Sequence, residues 1–194
     1  GLALYLPGSG LEYYKLTYKG ERLMGLTRSL TLKLRADMGF GESYGGTSQL
    51  PFFKNFYGGG FGSVRGFEKQ RLGPRSTPTC VLQDPPCEGR YALGRPSGGN
   101  VQVEFGAEIL FPLPFIKDQR SVQSSFFVDA GNIFNTKCGG SQVNCFSPDA
   151  GELRYSVGLG ATWLSGFGPI TFSVAKPLNA NEFDETEVFQ FSLG

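Results

Sequence analysis

Apolar and polar residues alternate singly along most of this chain. Over residues 30–40 every even position is apolar (Leu30, Leu32, Leu34, Ala36, Met38, Phe40) and every odd one is polar or glycine. Over 100–111 the apolar set falls on Val101, Val103, Phe105, Ala107, Ile109 and Phe111, with Asn100, Gln102, Glu104, Gly106, Glu108 and Leu110 between them. Residues 153–163 repeat the pattern, with Leu153, Tyr155, Val157, Leu159, Ala161 and Trp163 on one side and Arg154, Ser156, Gly158, Gly160 and Thr162 on the other. A period of two marks a strand whose two faces see different surroundings. Weaker alternation at 2–6, 14–23, 122–133, 169–176 and 187–193 brings the count to eight strands, several of them 10–13 residues long. Strands of ordinary globular proteins run about 5–6 residues, whereas one that crosses a bilayer needs about 9–11.

The two faces differ as lipid and water differ. The apolar face ends in aromatics such as Tyr14, Phe40, Phe111 and Trp163, the placement of interfacial girdles. The other face carries Lys15, Lys19, Lys33, Arg35, Asp37, Glu104, Glu108, Asp129 and Arg154. That many charges cannot line a dry core; they suit a wet lumen. A soluble sandwich also alternates, but with shorter strands and a polar outer face. The pattern therefore predicts an all-β fold, an antiparallel transmembrane β-barrel built as one domain over 1–194. Short turns at 112–114 and 165–168 alternate with long polar loops at 42–99, 135–151 and 179–185. In outer-membrane barrels the short turns are periplasmic and the long loops extracellular.

Composition narrows the chemistry. The chain has 194 residues with 29 glycines, 18 phenylalanines, 18% charged residues and a formal net charge of +1. Nothing there draws it to nucleic acid. It contains no histidine, which excludes serine–histidine triads, histidine general bases and histidine zinc sites. No metal or cofactor is expected, and no enzymatic activity. The four cysteines form two local pairs in polar segments, Cys80/Cys87 and Cys138/Cys145. Of three possible connectivities the local one is expected, Cys80–Cys87 and Cys138–Cys145, implying an oxidising compartment. The first residue is glycine rather than methionine, which fits a processed or excised chain.

The loop at 42–99 is far longer than a connection requires, and loops of that length tend to be functional or disordered. Its centre reads Phe56-Tyr57-Gly58-Gly59-Gly60-Phe61-Gly62-Ser63-Val64-Arg65-Gly66-Phe67. The glycines suggest a phosphate cradle, but no Lys-Ser/Thr follows and no helix opens there. A tight loop fitted against other chain is the better reading, with Phe56, Tyr57 and Phe67 as packing anchors.

This motif, with Leu72-Gly73-Pro74-Arg75, resembles the family of the outer-membrane protein assembly factor BamA. Phe126-Phe127-Val128-Asp129-Ala130-Gly131-Asn132, then Gly168-Pro169-Ile170 opening a strand, then Phe189-Gln190-Phe191-Ser192-Leu193-Gly194, match that family in order and cover essentially the whole chain. The loop motif alone is shared with two-partner secretion transporters, the alternative reading: a translocation pore. Such proteins carry periplasmic POTRA domains and a sixteen-stranded barrel, so the resemblance implies the C-terminal half of that barrel. Eight strands can close in principle, but their lumen would be nearly filled by side chains. A closed barrel of this chain would thus displace the 42–99 loop outward.

The resemblance also implies that the loop folds into the lumen, where Arg65 of the Val64-Arg65-Gly66-Phe67 motif meets Glu108 and Asp129. Alternation agrees, since Glu108 shares a face with Glu104, and Asp129 with Gln123 and Ser125. The plainer alternative is an exposed loop arginine. A glycosidase-like carboxylate pair lacks any cleft of sugar-binding residues. The last strand, with Phe189, Phe191 and a kink at Gly194, would form one side of a lateral seam where incoming strands add to an exposed edge. The function implied is folding and insertion of β-barrel proteins in the bacterial outer membrane. The partners implied are unfolded outer-membrane proteins, accessory lipoproteins and the lipid bilayer.

Overall fold

The computed structural model describes residues 2–4, 10–76, 94–113, 121–140, 142–166 and 168–193. The Cys80–Cys87 pair and Gly194 lie outside the described residues, as does part of the strand expected at 2–6. Eight strands form one antiparallel sheet in chain order: β1 (Leu2–Leu4), β2 (Tyr13–Gly25), β3 (Thr31–Ser43), β4 (Val101–Phe111), β5 (Val122–Phe134), β6 (Arg154–Ser165), β7 (Gly168–Pro177) and β8 (Phe189–Leu193). From β2 to β7 each strand runs 10–13 residues. The sheet does not close: β1 and β8 are its two edges, so the architecture is a partial barrel. With no closed eight-stranded lumen to fill, the described part of the long loop, through Arg65 and Phe67, stays on the inner face rather than being expelled.

Alternation sorts the side chains as the sequence suggests. Leu16, Tyr18, Phe105, Val128, Leu159, Trp163, Phe172 and Val174 stand exposed on the outer face. The inner face buries Asp37, Glu104, Asp129, Arg154 and Ser156. Register sets Arg35 opposite Gly106, Gly106 opposite Asp129, and Asp129 opposite Ser156, a row across β3–β6. The described part of the loop between β3 and β4 lies along this face from Lys15 of β2, whose ammonium sits 3.7 Å from the Phe56 ring centroid, to Gln190 of β8. Its own small core is Val64, Phe67 and Leu72.

The last strand is shorter than the alternation over 187–193 suggests. The backbone at Val188 still pairs with β7, its carbonyl accepting from the Ala175 amide at 2.8 Å. Residues just before it pair with the loop instead, through a bridge between Phe67 and Thr186. A local hydrophobic pattern carries no signal for such a change of partner.

The inner-face seat of the loop motif

Two glycines shape the loop at its tightest points. Gly59 has φ +99°, and a Cβ there would run into the Glu68 carbonyl. Gly66 has φ +89°, and a Cβ would come within 3.1 Å of the Ala175 Cβ on β7. Only glycine meets both demands without strain. Between them, Arg65 points at the sheet. Its Nε donates to Asp129 Oδ2 at 2.7 Å and its Nη2 to Oδ1 at 3.1 Å, a two-pronged grip on one carboxylate. Nη1 donates to Glu108 Oε1 at 3.2 Å, and the Arg65 backbone N–H adds a bond to Asp129 Oδ2. The guanidinium lies over the Phe127 ring, 3.3 Å from its centroid. Burial would lower the Arg65 pKa, but the hydrogen bonds and charges of Asp129 and Glu108 outweigh it and hold it above its ordinary value.

Asp129 is wholly buried and shared: Arg35 Nη2 sits 3.7 Å from its Oδ1. The same Arg35 nitrogen donates to the Ser63 carbonyl. Ser63 Oγ in turn donates to Glu104 Oε1 at 2.5 Å and accepts from the Gly59 amide at 2.6 Å. Each turn of the motif is thereby tied to a different wall residue. Such charge-assisted bonds to buried partners are the stronger class.

A second cluster holds the loop to the β7–β8 connection. The Glu68 amide donates to the Glu185 carbonyl and the Glu187 amide to the Gly66 carbonyl, both at 2.9 Å. On β8, Gln190 Nε2 donates to the Phe67 carbonyl at 2.8 Å. Arg71 and Arg75 both reach Glu185 Oε1 at 2.8 Å, and Arg154 Nε reaches Asp184 Oδ2 at 2.5 Å. The β5–β6 loop joins in, since Arg75 and Val143 exchange backbone hydrogen bonds. Val143 sits within the turn closed by the Cys138–Cys145 disulfide.

Burial would raise the Glu185 pKa, but hydrogen bonds involving Arg75, Glu68 and Arg71 outweigh it and leave it below its ordinary 4.5. A depressed carboxyl stabilises the fold fully above its unfolded-state pKa. That contribution is lost as pH falls through the lowered value. Acidification below about pH 4.5 is therefore expected to loosen the loop from residues 184–187. Amide exchange at Glu68 and Glu187, corrected for intrinsic rates, would report this. Glu185→Gln should flatten the dependence; an unchanged acid profile in that variant would assign it elsewhere.

Phe56 and Phe67 are buried, whereas Tyr57 is half-buried and holds the local turn through its hydroxyl, which donates to the Phe52 carbonyl at 3.2 Å. Phe189 and Phe191 face outward on β8, their rings 6.4 and 6.5 Å from that of Phe172. Among the described residues no group of three or more Cys, Asp or Glu side chains is arranged to hold a metal ion. Nothing in the local pattern marks Arg35, Glu185 or Gln190 as a partner of the loop. Phe127 does leave a local trace, an aromatic on the face that Gln123, Ser125 and Asp129 make polar.

Comparison with known proteins agrees with this architecture. The Omp85 superfamily domain matches residues 1–194. The outer membrane protein assembly factor BamA of Neisseria meningitidis serogroup B is 40% identical over 205 residues, covering 97% of this chain and 24% of that protein. A SAM50-like protein of Schizosaccharomyces pombe is 26% identical over 186 residues, covering 93% of this chain and 34% of its own length. Among solved structures, BamA from Haemophilus ducreyi lacking POTRA domains 1–3 matches with a TM-score of 0.80 at 29% identity, over 97% of this chain and 36% of that one. The chain thus spans well under half the length of these relatives. Matched by the family domain from its first residue to its last, it belongs to the Omp85 superfamily.

Proposed function

We propose that this chain is the C-terminal part of the barrel of an outer-membrane protein assembly factor, which folds and inserts other β-barrel proteins without enzymatic chemistry. The observation that carries the reading is the loop motif seated on the inner wall and tied to the last strand, through Arg65–Asp129 at one end and Gln190–Phe67 at the other. A five-residue edge strand whose approach is held by a loop is suited to a seam that opens. Its free backbone groups offer an incoming strand a template. In this reading the outer band faces lipid and the whole chain is one barrel domain. The short turns are periplasmic, and the loop at 42–99 starts from the extracellular end. Arg65, Glu108 and Asp129 hold the loop, while Phe189 and Phe191 anchor the seam strand in the bilayer. The partners are unfolded outer-membrane proteins, accessory lipoproteins and lipid, with no nucleic acid.

The test is client folding in vesicles that hold the full-length protein. A urea-denatured outer-membrane barrel protein should fold several-fold faster than in empty vesicles, and Arg65→Ala should remove most of the gain. No acceleration by the unsubstituted protein, with steady conductance and export of one dedicated client, would show a translocation pore instead.

A further inference from the structure

Three loops at the long-loop end meet on one side chain. Asn144 is buried with φ +53°, a conformation that asparagine tolerates better than most residues. Its Nδ2 donates to the Gly73 carbonyl of the β3–β4 loop at 3.0 Å and to Asp184 Oδ1 of the β7–β8 connection at 3.1 Å. Its Oδ1 accepts from Asn181 Nδ2 at 2.7 Å. Beside it, Val143 exchanges backbone hydrogen bonds with Arg75. Both residues ride on the descending arm of the β5–β6 turn, whereas the ascending arm is fixed to the sheet. There the Thr136 amide donates to Asn100 Oδ1 at 2.9 Å and Asn100 Nδ2 donates back to Thr136 Oγ1 at 2.8 Å. Lys137 Nζ adds a bond to Glu42 Oε1 at 2.7 Å. The Cys138–Cys145 disulfide ties the working arm to the fixed one, above the Asn135 amide donating to the Phe146 carbonyl at 3.0 Å. Cys138 is exposed and Cys145 half-buried.

We propose that the Cys138–Cys145 disulfide is a latch that a dithiol opens. Closed, it holds Val143 and Asn144 against Gly73, Arg75 and Asp184; opened, it lets the β3–β4 loop and the β7–β8 connection loosen from each other. The inference rests on the reading above in one respect, that the long-loop end faces outward, where an external thiol meets Cys138. Exposed disulfides are the labile class. A dithiol's thiolate attacks Cys138 Sγ, the bond to Cys145 breaks, and the electron pair leaves on Cys145, which takes up a proton. The second thiolate then attacks the mixed disulfide and releases Cys138, which is protonated in turn. Two electrons have passed to the protein, and the reductant has become a disulfide. The descending arm regains the freedom that the cross-link removed. What it supported is shared, since Arg75 also holds Glu185 and Asp184 also receives Arg154. Release at Asn144 therefore reaches the segment that leads into β8.

The test is amide exchange in the full-length protein in vesicles, with Cys80→Ser and Cys87→Ser so that dithiothreitol meets no second pair in this chain. Without denaturant, the reductant should open both Cys138 and Cys145 to a maleimide. Exchange at Arg75 and Val143 should then rise about tenfold or more. Glu187 should follow them, the β4–β6 ladder should not, and reoxidation with diamide should restore the closed rates. Cys145→Ser should show the open rates with or without reductant. Cysteines that stay unlabelled, or labelled cysteines with unchanged exchange at Arg75 and Val143, overturn the latch. Orientation is read separately on reduced intact cells, with a polyethylene-glycol maleimide too large for porins. Labelling only after lysis, with exchange still responsive, sinks the outward placement and leaves the latch. Labelling of intact cells with indifferent exchange sinks the latch alone.

Discussion

Arg65→Ala is expected to undock the loop while leaving the sheet folded. The side chain makes three hydrogen bonds to carboxylates, and one of those carboxylates, Asp129, is wholly buried. Removing one partner of a buried pair costs about 3–5 kcal/mol, because the other charge is left uncompensated. Here the loss should fall toward the lower end, since Arg35 remains 3.7 Å from Asp129 and supplies part of the missing charge. At about 1.4 kcal/mol per tenfold change, exchange of the Glu68 and Glu187 amides should accelerate at least about a hundredfold. Arg65→Lys should recover little, because an ammonium cannot grip both Asp129 oxygens and reach Glu108 from one position. The β2–β7 ladder should keep its protection. Unchanged exchange at Glu68 and Glu187 would mean that the backbone contacts alone hold the loop.

Phe127→Ala should be as severe but differently distributed. The ring is wholly buried, with the Arg65 guanidinium on one face and Gly158 opposite it in the ladder. A Cβ at Gly158 would run into both the ring and the Val174 carbonyl, so the glycine leaves the space the ring fills. Truncating a buried phenylalanine costs about 3–5 kcal/mol. The lost cation–π contact adds about 0.5–2 kcal/mol. Because the ring packs on both loop and wall, the urea midpoint of the whole sheet should fall along with loop protection. Phe127→Leu separates the two contributions by restoring most of the apolar volume without the ring. An unmoved midpoint in Phe127→Ala would show that the loop, rather than the ring, seals this part of the wall.

The elements were legible because a strand between lipid and water writes its faces into every second residue. Alternation placed β2–β7 within a few residues, and the glycine-rich motif marked the loop as packed rather than loose. Arg65, Glu108 and Asp129 could be grouped because the motif carried a resemblance and the carboxylates shared the polar face. The rest was hidden by distance along the chain. Gln190 and Phe67 are 123 residues apart and Arg75 and Glu185 are 110 apart, with no local pattern linking either pair. Arg35 looked like one more lumenal charge, although it bonds both the motif backbone and Asp129. The late start of β8 was invisible for the same reason, since its approach pairs with a loop from the other half of the chain.

The most direct measurement is a double-mutant cycle on loop docking with Arg65→Ala, Asp129→Asn and the combined variant. Opening free energies would come from exchange at Glu68 and Glu187, whose amides lie in the clasp but outside the substituted pair. If Arg65 docks the loop through Asp129, the two losses should not add, and a coupling energy of about 2 kcal/mol or more should remain, within the range for residues in direct contact. Additive losses with a coupling near zero would contradict the pairing on which the loop's seat depends.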